Sequence, residues 1–179
     1  MNYPSPASAD GDHRVLWLRN VHSGEELRVP PFGAHGIPDR RAWRRITHLF
    51  QAAAAKRRTI SPRLLRTLAQ IERRFGGRRV DLYSGYRVPD DGHDLESYHH
   101  VGHAADVSVE SIRPRELFEY CRRLQARTEE GLGCGLYPGQ PFVHVDARAR
   151  SVIWVDLGHR SYVSDAAGWL REHPDAGRK

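Results

Sequence analysis

The sequence predicts a single α+β domain with a small, mostly antiparallel sheet flanked by helices. Strand-like and helix-like stretches are partly segregated along the chain, which favours this class over an alternating α/β fold. The length of 179 residues, 39% of them hydrophobic, suits one domain that buries its own core. No internal repeat or linker divides the chain. We therefore expect a disordered N-terminus at 1–12, the functional domain at 13–158 and a C-terminal tail at 159–179.

The N-terminal half begins with a predicted β-hairpin. Strand-like stretches at 15–18 and 26–29 flank Ser23-Gly24, which is a turn signal. Asp39 can cap a helix whose apolar residues then recur at helical spacing. Ser61-Pro62 predicts the start of a second helix, because serine is favoured at the N-cap and proline at the first helical position.

The C-terminal half alternates between strands and two further helices. Strands are predicted at 80–83, 104–109, 133–137, 142–145 and 151–155. The last three follow one another closely, so we expect them to form a meander. Pro114 opens one helix, and a short helix from Ser164 should pack back through Trp169 and Leu170.

Chemistry concentrates in the stretch from Ser84 to Asp106, which contains one arginine, four histidines and five acids. Glycines and a proline interrupt it, so we expect a loop held between two hydrophobic strands. A second stretch, FVHVD at 142–146, alternates apolar and polar residues. On a strand, that alternation places His144 and Asp146 on one face.

Three residues from these stretches form a candidate zinc site. His99, Asp106 and His144 would supply two nitrogens and one oxygen, and catalytic zinc uses three protein ligands with a fourth position for water. Gly102 would let the chain double back between the first two ligands. From these residues alone, a zinc site and a solvated polar loop both remain open.

The motifs resemble those of a known family. Ser97-x-His99-x-x-Gly102-x-Ala104-x-Asp106 matches the SxHxxGxAxD signature of the D-Ala-D-Ala carboxypeptidase-like zinc peptidases, which share the hedgehog-type fold. SGYR at 84–87 and FVHVD at 142–146 match two further motifs of that family. More narrowly, the chain resembles the YcbK-type murein endopeptidase branch, whose motif order it follows over about residues 14–155.

The resemblance implies a hydrolase with one zinc ion per chain, bound by His99, Asp106 and His144. Its substrate would be a peptide bond in bacterial peptidoglycan, in a stem peptide or a cross-link, and its setting periplasmic or facing the cell wall. The first residues, MNYPSPASADGD, show neither a positive n-region nor an apolar h-region, so no signal peptide is visible.

The resemblance also suggests substrate-binding residues. Arg87 of the SGYR motif would present a fork of donors to a developing oxyanion or to a substrate carboxylate. Its neighbour Tyr86 and the motif serine Ser97 are further candidates for substrate contact. We expect the Ser97 hydroxyl to cap or brace the loop rather than to act as a nucleophile.

The general base is the open question of the sequence. Many family members carry an acid three residues before the last histidine ligand, where this chain has Pro141. Asp146 is the nearest carboxylate and is our candidate catalytic residue, but it could equally orient a ligand or Arg87. His100 and His103 are reserve candidates.

Other functions make different predictions. A catalytically impaired wall-binding module would keep the metal, and a D,D-dipeptidase or carboxypeptidase would take smaller peptides. A nucleic-acid binder is disfavoured although the net charge is +6 (28 basic minus 22 acidic) and the pI about 9.7, because no nucleic-acid motif is present. No apolar run approaches the roughly 18 residues of a membrane span. We expect a monomer. Two free, partly buried thiols are the default for Cys121 and Cys134, and a disulfide between them in an oxidising compartment stays open.

Overall fold

The structure is a computed structural model that describes residues 15–33, 36–51, 58–88, 97–158 and 161–177. The prediction for residues 1–12 lies outside this part of the chain. The strands are β1 (Leu16–Asn20), β2 (Glu26–Val29), β3 (Val80–Ser84), β4 (Ala104–Val109), β5 (Leu132–Leu136), β6 (Val143–Ala147), β7 (Val152–Asp156) and β8 (Tyr162–Val163). The helices are α1 (Arg40–Leu49), α2 (Pro62–Arg74), α3 (Pro114–Gln125) and α4 (Ala166–Glu172), with a 3-10 helix at Tyr98–Val101.

The described strands form one mixed sheet in the order β2-β1-β3-β4-β6-β5-β7-β8. Five of the neighbouring pairs are antiparallel. The pairs β1–β3 and β5–β7 are parallel. The predicted α+β class is therefore confirmed and the sheet is mostly antiparallel, but with eight described strands it is larger than expected.

The two faces of the sheet have opposite character because neighbouring residues on a strand point to opposite sides. One side, the core face, packs its apolar side chains against α1, α2 and α3; Leu82, Val107 and Val145 belong to this core. The other side, the polar face, carries Asp106 and His144 from the same strands.

The predicted starts of α1 and α2 are confirmed, and each has a local cause, whereas α4 begins at Ala166 with Asp165 as its N-cap rather than at Ser164. The Asp39 side chain accepts a hydrogen bond from the backbone N–H of Ala42 at 2.7 Å, which caps α1. The Ser61 hydroxyl accepts one from the N–H of Arg63 at 3.3 Å, and Pro62 occupies the first turn of α2.

The predicted late meander is wrong. Strand β7 does not pair with β6; it lies on the far side of β5 and runs parallel to it. The connection from β6 crosses the start of β5 at Gly131, where a Cβ would lie 2.6 Å from the carbonyl carbon of Ala149. Because glycine has no Cβ, the chain can step across β5 here and add β7 beyond it.

The C-terminal helix α4 closes one end of the core. Ala166 and Leu170 are buried in the main hydrophobic cluster, and Trp169 packs against it. The Arg115 guanidinium donates hydrogen bonds to the carbonyl oxygens of Leu170, His173 and Pro174. These bonds satisfy carbonyls at the end of α4 and hold the helix against α3.

Cys121 of α3 and Cys134 of β5 are free, as predicted, but both are fully buried rather than partly buried. Burial, together with the neighbouring Cys121 thiol, raises the pKa of the Cys134 thiol well above its ordinary value. Within the described residues, no helix is long and apolar enough to cross a membrane.

Candidate metal centre

Two of the three candidate ligands are fixed by strand register. Asp106 on β4 lies directly opposite His144 on β6, and both side chains project from the polar face. The Nδ1 atom of His144 lies 3.0 Å from Oδ1 of Asp106. The pairing of two central strands therefore brings these residues together, as the alternation in the sequence predicts.

The loop before β4 delivers the third ligand, His99. It lies in the 3-10 helix, which ends at Gly102 in the left-handed conformation (φ 74°). A Cβ at Gly102 would lie 2.5 Å from the Thr59 carbonyl oxygen, so only glycine fits this close approach. The Nδ1 atom of His99 lies 2.7 Å from the Gly85 carbonyl oxygen, which orients Nε2 toward the other two ligands.

The donor atoms have the separations that a tetrahedral metal ion requires. Nε2 of His99 lies 3.2 Å from Nδ1 of His144 and 3.5 Å from Oδ1 of Asp106. A tetrahedral ion with bonds of about 2.0–2.1 Å keeps its ligands about 3.3–3.4 Å apart. With two imidazole nitrogens and one carboxylate oxygen within reach of one another, the set could hold a metal ion and suits zinc.

The electrostatics of this group also suit a cation. Burial would raise the pKa of Asp106, but hydrogen bonds from His144 and His99 outweigh burial and hold that pKa below its usual range. Burial would lower the pKa of His144, but its contacts with Asp106 and Asp146 raise that pKa above the ordinary value. The site thus holds a fixed negative charge beside an imidazole that favours an added proton or metal ion.

Asp146 lies on the same face as His144, as predicted, and contacts its other ring nitrogen. Its Oδ2 atom lies 3.0 Å from Nε2 of His144. The Asp146 side chain is 0% exposed and is also paired with Arg148. Burial alone would raise the pKa of Asp146, but Arg148 and His144 hold it below its usual range.

The candidate substrate residues differ in their accessibility. Arg87 is exposed, and its backbone N–H donates to the His99 carbonyl oxygen at 3.4 Å. Tyr86 is only 5% exposed and belongs to the core. Ser97 occupies the N-cap position of the 3-10 helix, but its hydroxyl makes no capping hydrogen bond. The predicted capping role of the Ser97 hydroxyl is therefore wrong; its carbonyl oxygen accepts from the N–H of His100 instead.

The sequence reasoning missed three residues around His144, namely Tyr98, Arg148 and Trp154. Arg148 pairs with Asp146, and its guanidinium carbon lies 4.7 Å from the ring centre of Tyr98 and 5.3 Å from that of Trp154. The ring of Trp154 lies 5.3 Å from that of His144. One signal was available: His144, Asp146 and Arg148 continue the same two-residue alternation beyond the matched motif.

An aromatic cluster flanks the candidate metal site and was also missed. The ring of Phe142, two residues before His144, lies 5.5 Å from the rings of both Tyr83 and Tyr137. Burial and then the nearby charge of Asp106 raise the pKa of the Tyr137 hydroxyl above its ordinary value. We refer to Tyr83, Phe142 and Tyr137 as the aromatic wall.

Comparison with known proteins agrees with this arrangement. The family model described as peptidoglycan L,D-endopeptidase MepK matches residues 8–151. The chain belongs to this peptidase family. It is 32% identical over 145 residues to peptidoglycan L,D-endopeptidase MepK of Escherichia coli (strain K12), covering 74% of this chain and 76% of the relative. The same figures hold for the protein of that name from Shigella flexneri. No solved structure gives a significant match.

Proposed function

We propose that this family member is a zinc-dependent endopeptidase that hydrolyses peptide bonds in bacterial peptidoglycan. The observation that carries the proposal is the convergence of His99, Asp106 and His144 at ligand spacing on the family's scaffold. Relatives that bear the name peptidoglycan L,D-endopeptidase support a bond between an L- and a D-residue as the one cleaved.

His99, Asp106 and His144 would hold one zinc ion through Nε2, Oδ1 and Nδ1, respectively. Zinc supplies a Lewis acid that polarises a carbonyl and lowers the pKa of water. The protein itself orients the two imidazole rings. Gly85 fixes the ring of His99, and Asp146 accepts the Nε2 proton of His144, so that one nitrogen of each ring is directed at the site.

Asp146 has two candidate roles, general base or orienting group. Both of its oxygens are engaged within the protein, and the side chain is 0% exposed. A base for an attacking water needs an oxygen within hydrogen-bond reach of that water. These contacts favour the orienting role, in which Asp146 fixes the tautomer and direction of His144.

Arg87 is the proposed cation for substrate. It is exposed, and its backbone is tied to the His99 carbonyl, so it belongs to the ligand loop rather than to a distant surface. A guanidinium here can bind a peptide carboxylate or the developing oxyanion by two parallel hydrogen bonds. Ser97 at the start of the same 3-10 helix and the partly exposed members of the aromatic wall would line the path of the peptide.

We further propose the hedgehog/DD-peptidase type for the fold and a wall-facing location for the enzyme. The mixed sheet with two ligands on central antiparallel strands and the third on the preceding loop supports the first. The second follows from the substrate, since peptidoglycan lies outside the cytoplasm.

The proposal is tested by measuring bound zinc and release of muropeptides from purified peptidoglycan, with wild type and His144→Ala. We expect one zinc per chain and cleavage of cross-linked muropeptides in the wild type, and neither in the variant. One zinc without cleavage of any wall preparation would instead identify a wall-binding module. A wild type that binds no zinc would refute the metal centre.

A further inference from the structure

Arg148 contacts Asp146 beside the candidate ligands, and the family motifs leave it unassigned. It follows β6 and is half-buried. Its Nε donates to Oδ1 of Asp146 at 2.6 Å, and its Nη2 donates to Oδ2 of the same carboxylate. This bidentate pairing fixes both the plane and the position of the Asp146 carboxylate, whereas a single hydrogen bond would leave the plane free to rotate.

The pairing continues directly to a ligand. Oδ2 of Asp146 accepts from Nε2 of His144, and the opposite ring nitrogen, Nδ1, faces Asp106 and His99. Turning the imidazole over would break its bond to Asp146 and withdraw Nδ1 from the site. The direction of Nδ1 therefore depends on the place at which Arg148 holds Asp146.

Two aromatic rings and a glycine surround the Arg148 side chain. Its guanidinium lies 4.7 Å from the ring of Tyr98, which precedes the ligand His99, and 5.3 Å from the ring of Trp154 on β7. Below it, β5 carries Gly133, where a Cβ would lie 2.5 Å from Nε of Arg148 and would also clash with Oδ2 of Asp146. A side chain at Gly133 would occupy the space that the pair needs.

We propose that Arg148 is a positioning residue for the metal centre, acting through Asp146 on His144. The inference rests on the proposed function, since it concerns the same three ligands. It differs from a purely structural ion pair because it predicts an effect on the His144 ring that a change in stability alone would not produce.

The experiment compares Arg148→Met and Arg148→Lys with Arg150→Met, a matched control at an exposed arginine two residues further on. Zinc affinity is measured by competition with a chelator, and kcat and KM with a soluble cross-linked muropeptide. The hydrogen-bonded Nε2 proton of His144 is observed by NMR in histidine-labelled, metal-free protein. Denaturation of each metal-free variant reports whether it folds.

We expect Arg148→Met to lower zinc affinity by about 10–100-fold, the range that loss of an outer partner costs. It should lose the His144 Nε2 proton signal and lower kcat more than it raises KM. Arg148→Lys should retain part of the affinity, because an ammonium keeps the charge but lacks the fork. Arg150→Met should match the wild type.

Arg148→Met leaves the buried carboxylate of Asp146 without its partner and could therefore destabilise the fold. A comparison of Asp146→Ala with Asp146→Ala/Arg148→Met avoids this problem, because neither variant has that carboxylate. If Arg148 acts through Asp146, the double variant Asp146→Ala/Arg148→Met should bind zinc as Asp146→Ala alone does, within about twofold. Losses that multiply would overturn the inference. So would an Arg148→Met protein that keeps both the wild-type zinc affinity and the His144 signal, even if wild-type cleavage upholds the proposed function. If wild type binds no zinc, the proposed function fails, while the NMR signal still reports on Arg148.

Discussion

Two groups of charged residues lie on neighbouring strands, and their difference explains why only one is a candidate metal site. The first, which we call the Asp81 cluster, consists of Arg19, Glu26, Arg79, Asp81 and Glu110. The second, the metal cluster, consists of His99, Asp106, His144, Asp146 and Arg148. Asp81 on β3 and Asp106 on β4 are both 7% exposed.

The partners of the two carboxylates separate the clusters. Asp81 is paired with permanent cations, Nε of Arg79 at 2.8 Å and Nε of Arg19 at 3.1 Å. Asp106 is paired instead with two imidazoles, which carry charge only when protonated. The first cluster therefore contains its own counter-charge, whereas the second provides a negative site that a metal ion can neutralise.

The largest expected effect on metal affinity comes from Asp106→Asn, with Asp81→Asn as the matched variant. Removing the ligand carboxylate should lower zinc affinity by more than the roughly 100-fold that loss of an outer partner costs, and should abolish peptide cleavage. Both are measured by chelator competition and muropeptide analysis. An Asp106→Asn protein that still binds one zinc tightly would remove the distinction between the two clusters.

The next effect is expected from Gly133→Ala, which tests the space beneath the metal cluster. A Cβ at this position would clash with Oδ2 of Asp146 and lie 2.5 Å from Nε of Arg148. We expect a loss of zinc affinity of about 10–100-fold, measured by chelator competition. Gly139→Ala is the control, because a Cβ there has no atom within 4 Å among the described residues. Equal affinities of the two variants would contradict this account.

A change of pH is expected to have a smaller effect on zinc affinity. The pKa of Asp106 is held below its usual range, so its carboxylate is already ionised at pH 5–8 and releases no proton when metal binds. The pKa of His144 is raised, so zinc must displace a proton from this ring below that pKa. Zinc affinity should therefore rise about tenfold per pH unit below that pKa and then level off.

The proton release is measured by calorimetry in buffers of different ionisation enthalpy. At pH 6 the binding heat should vary linearly with the ionisation enthalpy of the buffer. The slope should correspond to about one proton that the site releases and the buffer takes up. Binding heats that do not depend on the buffer, together with a flat affinity profile between pH 6 and 7, would show that His144 is neutral before metal arrives.

The smallest effect on zinc affinity is expected from Asp81→Asn, which should leave that affinity unchanged within about twofold. Its effect should fall on stability, since the variant weakens the charge-assisted hydrogen bond from Arg79 and the ion pair with Arg19. A loss of about 1–3 kcal/mol in the free energy of unfolding is expected for such bonds. Urea denaturation of the metal-free protein measures it. A large fall in zinc affinity would show that the two clusters are coupled across β3 and β4.

The sequence predicts which candidate ligands come together better than it predicts the residues that support them. His99, Asp106 and His144 stand in a motif of fixed spacing, and the strand alternation at 142–146 is local, so both follow from neighbouring residues. Arg148 continues this alternation, but its contact with Trp154 depends on the connection from β6 to β7, which crosses the start of β5 at Gly131. Contacts between strands that are not consecutive cannot be derived from local patterns.

The direct pairing of Asp106 with His144 across β4 and β6 also bears on how the sheet selects its alignment during folding. A slip of one residue would turn every side chain of the slipped strand to the opposite side. His144 would then enter the apolar layer, and Val143 or Val145 would take its place beside Asp106. Such a slip would bury an imidazole among aliphatic side chains and would also break the contact between His144 and Asp106, so both costs penalise the same error. The Asp106–His144 pairing and the hydrophobic core thus both disfavour misaligned strands.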